Sequence, residues 1–374
     1  MADPRMARER LLRRMVREAK KTPAPEGEHW LEQYACAALT GRITACRKVR
    51  LLCAVLLDKI RRPEKYRPWV FDMEQANVHI AFVEKFCKQP QGRLGAPLTL
   101  ELFQKARWQA IFGFVDRDTG LRQYQEVMIV EGRKNGKTTE CAAIEIDLLV
   151  NDGEGAPEIY SIATKREQAA KSYNACVNMR GQSPSLFQGI RKRQGDLYYP
   201  PNMGTISALA SAANSLDGLN AHGVLVDELA AIKNRQIYDD MKQSMSARDQ
   251  PLLFSISTNG FVRECIFDAQ YAYAAGVLEG TITDDRFLAW IYELDERDEY
   301  QDESKWIKAN PGLGTIKKVD YLRQMVAKAA ADPSFLPTVL VKDFNMKENA
   351  ATAWLTWAEC SNPETFDISF DYCI

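Results

Sequence analysis

EVMIVEGRKNGKTTECAA, residues 126–143, decides the fold class. A short apolar strand runs into a tight polar turn and then, without a spacer, into a helix. Gly136-Lys137-Thr138 matches the end of the pattern G-x-x-x-x-G-K-[ST], and each residue has a physical role. Gly136 lets backbone N–H groups approach a phosphate, Lys137 sets a point charge on the β/γ oxygens, and the Thr138 hydroxyl is placed for Mg²⁺. The next helix turns the positive end of its dipole toward the anion. Gly132, Lys134, Asn135 and Thr139 complete the candidate ATP-binding set. One position departs from the pattern: its first glycine falls at 131, where Glu131 stands, and Gly132 comes one place late. Arg133, inside the loop, has two readings. It is within reach of a γ-phosphate and can stabilise transition-state charge as an arginine finger does, or it salt-bridges a neighbouring carboxylate.

Downstream, HGVLVDE (222–228) reads as a buried parallel strand ending in two acids. Parallel strands present ligands at their C-terminal ends. There Asp227 would hold Mg²⁺ through water and Glu228 would polarise an attacking water. The bland alternative is that the acids cap the next helix. SISTNG (255–260) ends another apolar strand, so Ser257, Thr258 and Asn259 are candidates for sensing the γ-phosphate and relaying hydrolysis, or form a polar turn. Upstream, LELFQKARWQ (100–109) offers Gln104, with Gln109 as alternative, to pair with an adenine edge; either is otherwise an exposed polar helix residue.

The rest of the pattern agrees with these motifs. Strands at 124–130, 157–164, 223–228 and 251–260 alternate with helices at 137–150, 165–180 and 237–247, and short hairpin strands lie near 197–210. Such alternation implies an α/β fold with a mostly parallel sheet sandwiched by helices, here a P-loop NTPase of the ASCE type. Residues 29–90 carry apolar residues at helical spacing, and Gly and Pro cluster at 89–97. The expected division is an N-terminal helical region (1–95), an ATPase core (96–345) and a linker (346–374). A basic run from Arg5 to Lys21 with Leu11, Leu12, Met15 and Val16 among its charges reads as an amphipathic helix, either a solvated face or a DNA-contacting arm.

Composition sets outer bounds. The 374 residues balance 49 Lys and Arg against 50 Asp and Glu, so a nucleic-acid contact must come from a local patch or a ring of subunits. No apolar run approaches the ~20 residues of a membrane span, and the charged N-terminus lacks a signal-peptide core, which makes the cytosol the expected compartment. Nine scattered cysteines with no C-x-x-C pair, and three histidines, do not suggest a structural zinc site.

The ordered segments LFQ…GFVDRDTGLR, GRKNGKT, ATKREQA, SLDGLNAHGVLVDELA and PLLFSISTNG, then WIKANPGLG (306–314) and FNMKENAATAWLTWAEC, resemble the large terminase subunits of tailed bacteriophages, over most of residues 30–360. In that family the phosphate loop often lacks its first glycine and carries an arginine where Arg133 stands, so Glu131 is a family-like departure. The resemblance implies that Lys137 and Thr138 bind ATP, Asp227 binds Mg²⁺, Glu228 is the catalytic carboxylate and Thr258 belongs to a coupling motif. It also implies double-stranded DNA, a prohead portal protein and a small terminase subunit as partners, a homo-oligomeric ring, and the cytoplasm of a bacterial host. The family's nuclease domain should begin after the tryptophan-rich linker. About thirty residues come after Asn345, so the expectation is that this chain lacks the nuclease and that Asp367 and Asp371 are not its metal ligands. Two other functions stay open: a helicase-type translocase, for which the roughly 115 residues after SISTNG hold no second motif-bearing domain, and a nucleotide-binding scaffold without productive hydrolysis. A neighbour's arginine finger would come from an exposed residue such as Arg248 or Arg263.

Overall fold

The computed structural model describes residues 3–163, 166–210, 218–232, 235–261 and 265–348. The chain opens with α1 (Pro4–Lys21), α2 (Trp30–Thr40), α3 (Arg47–Arg61), β1 (Trp69–Phe71), α4 (Met73–Phe86), α5 (Leu102–Gly113) and β2 (Phe114–Asp116). The alternating part runs β3 (Glu126–Val130), α6 (Lys137–Val150), β4 (Glu158–Ala163), α7 (Arg166–Gln182), α8 (Pro184–Gly189), β5 (Arg191–Lys192), β6 (Asp196–Tyr199), β7 (Gly204–Ala210), β8 (Ala221–Asp227), α9 (Arg235–Ser244), β9 (Leu252–Ser257), α10 (Ile266–Glu279) and β10 (Phe287–Ile291). It closes with α11 (Val319–Ala331) and α12 (Leu336–Phe344).

Eight strands form one sheet in the order β10-β3-β9-β8-β4-β7-β6-β5. The first six are mutually parallel, and β6 and β5 extend the sheet antiparallel. Parallel strands need both faces covered, so their sequences are continuous apolar runs; every residue of β3, β9 and β10 is buried. The α/β class and the 197–210 hairpin expected from the sequence are both present. The sequence reading did not include β10, which lies beside the loop-bearing strand β3.

The N-terminal helices are continuous with this sheet. Leu12 and Met15 of α1, Leu52 and Leu56 of α3 and Trp108 of α5 share one apolar core with Val127, Phe254 and Trp290 of the strands. The basic helix α1 buries Leu12, Met15 and Ala19, while Arg14 pairs with Asp58 at 2.9 Å and Arg5 with Glu279 at 3.0 Å. A second, smaller core (Leu294, Trp306, Ala309, Leu322, Ala329, Val339, Leu340, Phe344) holds the segment from 294 to 344 together.

Candidate active site

The chemistry converges at the C-terminal ends of three adjacent strands, β3, β9 and β8. The loop leaving β3 turns through Lys134 (φ 68°) and Gly136 (φ 91°); this left-handed backbone suits glycine. α6 then starts at Lys137, with its free N–H groups at the loop. Lys137 Nζ donates to the Glu131 and Gly132 carbonyls at 3.1 and 2.9 Å. Burial lowers its pKa, and the charges of Glu131, Asp227 and Glu228 oppose that shift. At the end of β8, Asp227 Oδ2 lies 3.5 Å from Thr138 Oγ1 and 3.3 Å from Ser172 Oγ. Burial, then the charge of Glu228, pushes the Asp227 carboxyl up, and Lys137 pulls it back. Hydroxyl and carboxylate oxygens at one point, too far apart for strong hydrogen bonds, form an oxygen donor set of the kind Mg²⁺ takes.

Glu228 adopts a left-handed conformation (φ 59°), costly for a non-glycine residue and concentrated at functional sites. Its amide is anchored to the Ile256 carbonyl at 2.9 Å. Its side chain is exposed and caps nothing, so the capping alternative does not account for it. Ser257 Oγ takes the Ala230 amide at 3.1 Å and donates to the Thr258 carbonyl, tying the end of β9 to the turn after Glu228. Ser257, Thr258 and Asn259 are all buried. Asn259 donates twice to Asn345, from its amide to Oδ1 and from Nδ2 to the carbonyl, each at 3.1 Å.

The Glu131 departure has a physical explanation. Its side chain is fully buried and points away from the loop's concave side, toward Arg107 Nη2 at 2.7 Å. Arg107 Nη1 also pairs with Glu140 at 2.8 Å. Burial disfavours the guanidinium charge, but Glu140 and then Glu131 outweigh it and raise its pKa. Burial raises the Glu140 carboxyl, against Arg107 and with Glu131. Arg133 and Lys134 are exposed, and among the described residues Arg133 makes no ion pair, so the salt-bridge reading of Arg133 finds no partner there. Asn135 is buried and braces the loop from within, donating to the Gly132 carbonyl at 2.9 Å. Thr139 lies on the first turn of α6.

Two sequence expectations meet different surroundings. Gln104 is buried, and both ends of its amide are committed: Oε1 accepts from the Glu101 amide at 3.1 Å and Nε2 donates to Glu140 at 3.2 Å. Gln109 is likewise engaged, with the Leu31 amide, the Glu28 carbonyl and Asn77. Neither is the exposed polar residue of the bland reading; Gln109 spends both N–H groups of its amide, whereas Gln104 Nε2 lies near Gly136 of the phosphate loop with a second N–H to give. Arg248 is a correction. Its side chain is 9% exposed and donates to Glu154 and to the Asn220, Gly155 and Ala156 carbonyls, so it is not an exposed finger for a neighbour. Arg263, Asp367 and Asp371 lie outside the described residues. Arg107, Glu140, Ser172 and Asn310 were missed; for Arg107 and Glu140 the available signal was a charged residue within helical text that is otherwise largely apolar, and for Ser172 and Asn310 there was none.

Comparison with known proteins shows what this chain is similar to. The profile "Terminase large subunit, ATPase domain" matches residues 102–276, and "Terminase large subunit, endonuclease domain" matches residues 281–366. The chain is 28% identical over 297 residues to the large terminase subunit of Enterobacteria phage HK97, covering 75% of this chain and 55% of that protein. It is 27% identical over 149 residues to protein YmfN of Escherichia coli (strain K12), covering 39% of this chain and 33% of the other. The crystal structure of the HK97 large terminase superposes with a TM-score of 0.64 at 27% identity, over 73% of this chain and 55% of that one. This chain therefore spans about half the length of its phage relative. The endonuclease-domain match overturns the expectation that the chain lacks that part. The sequence reading counted only the residues after Asn345, whereas the match begins at 281, just before the strand that reading left out. By these matches the chain is similar in sequence to the large terminase subunits of phages, over parts of both their ATPase domain and their endonuclease domain.

Proposed function

We propose that this chain hydrolyses ATP and that hydrolysis drives double-stranded DNA into a phage prohead. The observation that carries the reading is the meeting of Lys137, Thr138 and Asp227 at the ends of neighbouring parallel strands, with Glu228 beside them. Residues 132–139 would cradle the phosphates, with Lys137 exchanging its carbonyl partners for β/γ oxygens. Mg²⁺, held by the Thr138 hydroxyl and Asp227, would supply counter-charge to those oxygens. Glu228 orients and deprotonates the attacking water, and Arg133, exposed on the loop, neutralises charge that builds on the transferred phosphoryl group. Ser257, Thr258 and Asn259, on the strand between the loop strand and the acidic strand, relay the change. Gln104, whose Nε2 lies near Gly136, is the residue proposed to pair with the adenine edge.

The domain division belongs to the same proposal: helices up to about residue 95 brace an ATPase core over about 96–345, and residues 346–374 are a linker. Double-stranded DNA, a portal protein and a small terminase subunit are the proposed partners, in a ring of subunits in the host cytoplasm. Among the described residues no helix is long and apolar enough to cross a membrane. The test is Glu228→Gln. ATP affinity should hold while phosphate release falls at least ~100-fold, the usual contribution of a general base. Near-wild-type turnover would overturn the assignment.

A further inference from the structure

WIKANPGLG, residues 306–314, stands out in the sequence without an assigned role. In the fold it lies against the outer side of the phosphate loop. Gly132 is packed so closely that a Cβ there would collide with Asn310 Oδ1 and the Asp343 carbonyl. The Gly132 amide donates to the Ala309 carbonyl at 2.9 Å and the Arg133 amide to the Lys342 carbonyl at 3.0 Å. The amides of Gly132 and Arg133 are therefore spent on Ala309 and Lys342, and the loop amides left for a phosphate begin at Lys134.

Asn310 is the centre of the contact and is fully buried. Its Oδ1 accepts from Asn135 Nδ2 at 3.0 Å and from Lys317 Nζ at 2.8 Å. Its Nδ2 donates to the Trp306 and Asp343 carbonyls at 3.2 and 2.9 Å. Every hydrogen-bonding position of the amide is used. Asn135 Oδ1 in turn accepts the Gly312 amide at 3.0 Å. Lys317 pairs with Asp343 at 2.7 Å, with both residues buried. Residues 342–345 reach the end of β9: Lys342 Nζ donates to the Asn259 carbonyl at 3.0 Å, and Asn345 accepts from the Asn259 amide and Nδ2.

We propose that Asn310, with Lys317 and Asp343, is a positioning residue of the nucleotide site. It forms a clasp that sets the geometry of the phosphate loop and, through Lys342 and Asn345, ties the loop to the end of β9. The inference rests on the nucleotide-binding reading above. The clasp belongs to the stretch that matches the endonuclease-domain profile, so a segment beyond the ATPase-domain match controls how the loop holds phosphate. A nucleotide that tightens the loop must tighten residues 306–317 and 340–346, and loosening those residues must weaken nucleotide binding.

The test uses the full chain, with ATP as the probe. Asn310→Ala should raise the ATP Kd about tenfold, as expected for one lost buried hydrogen bond (about 1.4 kcal/mol), at a temperature where the variant is still folded. A purely structural role would lower the melting temperature and leave Kd unmoved. Should Asn310→Ala fail to fold, hydrogen exchange on the wild type decides. With Mg·ATPγS at about ten times its Kd, exchange at 306–317, including Gly312, should slow about tenfold, because opening the clasp then releases nucleotide. Unchanged exchange, or a folded Asn310→Ala that binds ATP within about twofold of wild type, overturns the clasp alone. A wild type that binds no ATP overturns the nucleotide-site reading and the clasp with it.

Discussion

Arg107, fully buried, carries two buried carboxylates. Replacing it with methionine would strand both, and removing one partner of such a cluster costs about 3–5 kcal/mol. Arg107→Met should therefore lose most of the stability of the fold in a urea melt, before any question of turnover. Arg133 is the opposite case, exposed and without an ion pair among the described residues. Arg133→Ala should leave stability unchanged and cut turnover by about 1000-fold or more, with ATP affinity changed by less than about tenfold. Equal losses in both would make it a ground-state contact. The residues that declare themselves in the sequence are those whose chemistry is local. Lys137 and Thr138 are adjacent, as are Asp227 and Glu228, so spacing alone exposes them. Arg107 meets Glu131 across 24 positions and Asn135 meets Asn310 across 175. No local pattern records such pairings.

α6 shows what an element's burial does to its ionisable groups. Glu140, Glu145 and Asp147 all lie on its inner faces. Glu140 meets Arg107 and Asp147 meets His79 at 2.7 Å, but among the described residues Glu145 has only the Ser161 hydroxyl and the Cys176 thiol. Burial pushes its carboxyl up to about 7. Between the unfolded value and about 7 the folded state keeps a proton that the unfolded chain releases, so this group's contribution to stability falls as pH rises through that window. Glu145→Gln should flatten that fall, gaining stability over wild type at pH 8 and little at pH 5, as read by chemical denaturation at both. The helix was legible as a helix because its apolar residues are dense. Its packing on nearly every side was not, since three acids stand among its apolar residues and no local pattern shows that they are buried.

For the whole molecule, the boundary between family matches is not a boundary of the fold. The ATPase-domain match ends at 276, yet β10 at Phe287–Ile291 completes the sheet beside β3. A chain ended at 280 should lose β10, leave β3 as a long apolar edge and elute from size exclusion as aggregate; a monodisperse, folded product would contradict this. The parallel sheet and the order of its motifs were readable because each strand is a continuous apolar run. β10 escaped because its five residues, FLAWI, lead into helical turns with no motif at the strand's end. The sheet's two outer strands also constrain how copies can meet. β5 is two residues long, Arg191 and Lys192, both exposed and charged, and short charged edges resist strand addition. β10 is wholly buried, with Cys46, next to α3, reaching the Ile291 carbonyl. Neither rim offers a template for a neighbour's strand, so any contact between copies would run through side-chain surfaces, and edge-to-edge polymerisation is disfavoured by the sheet itself.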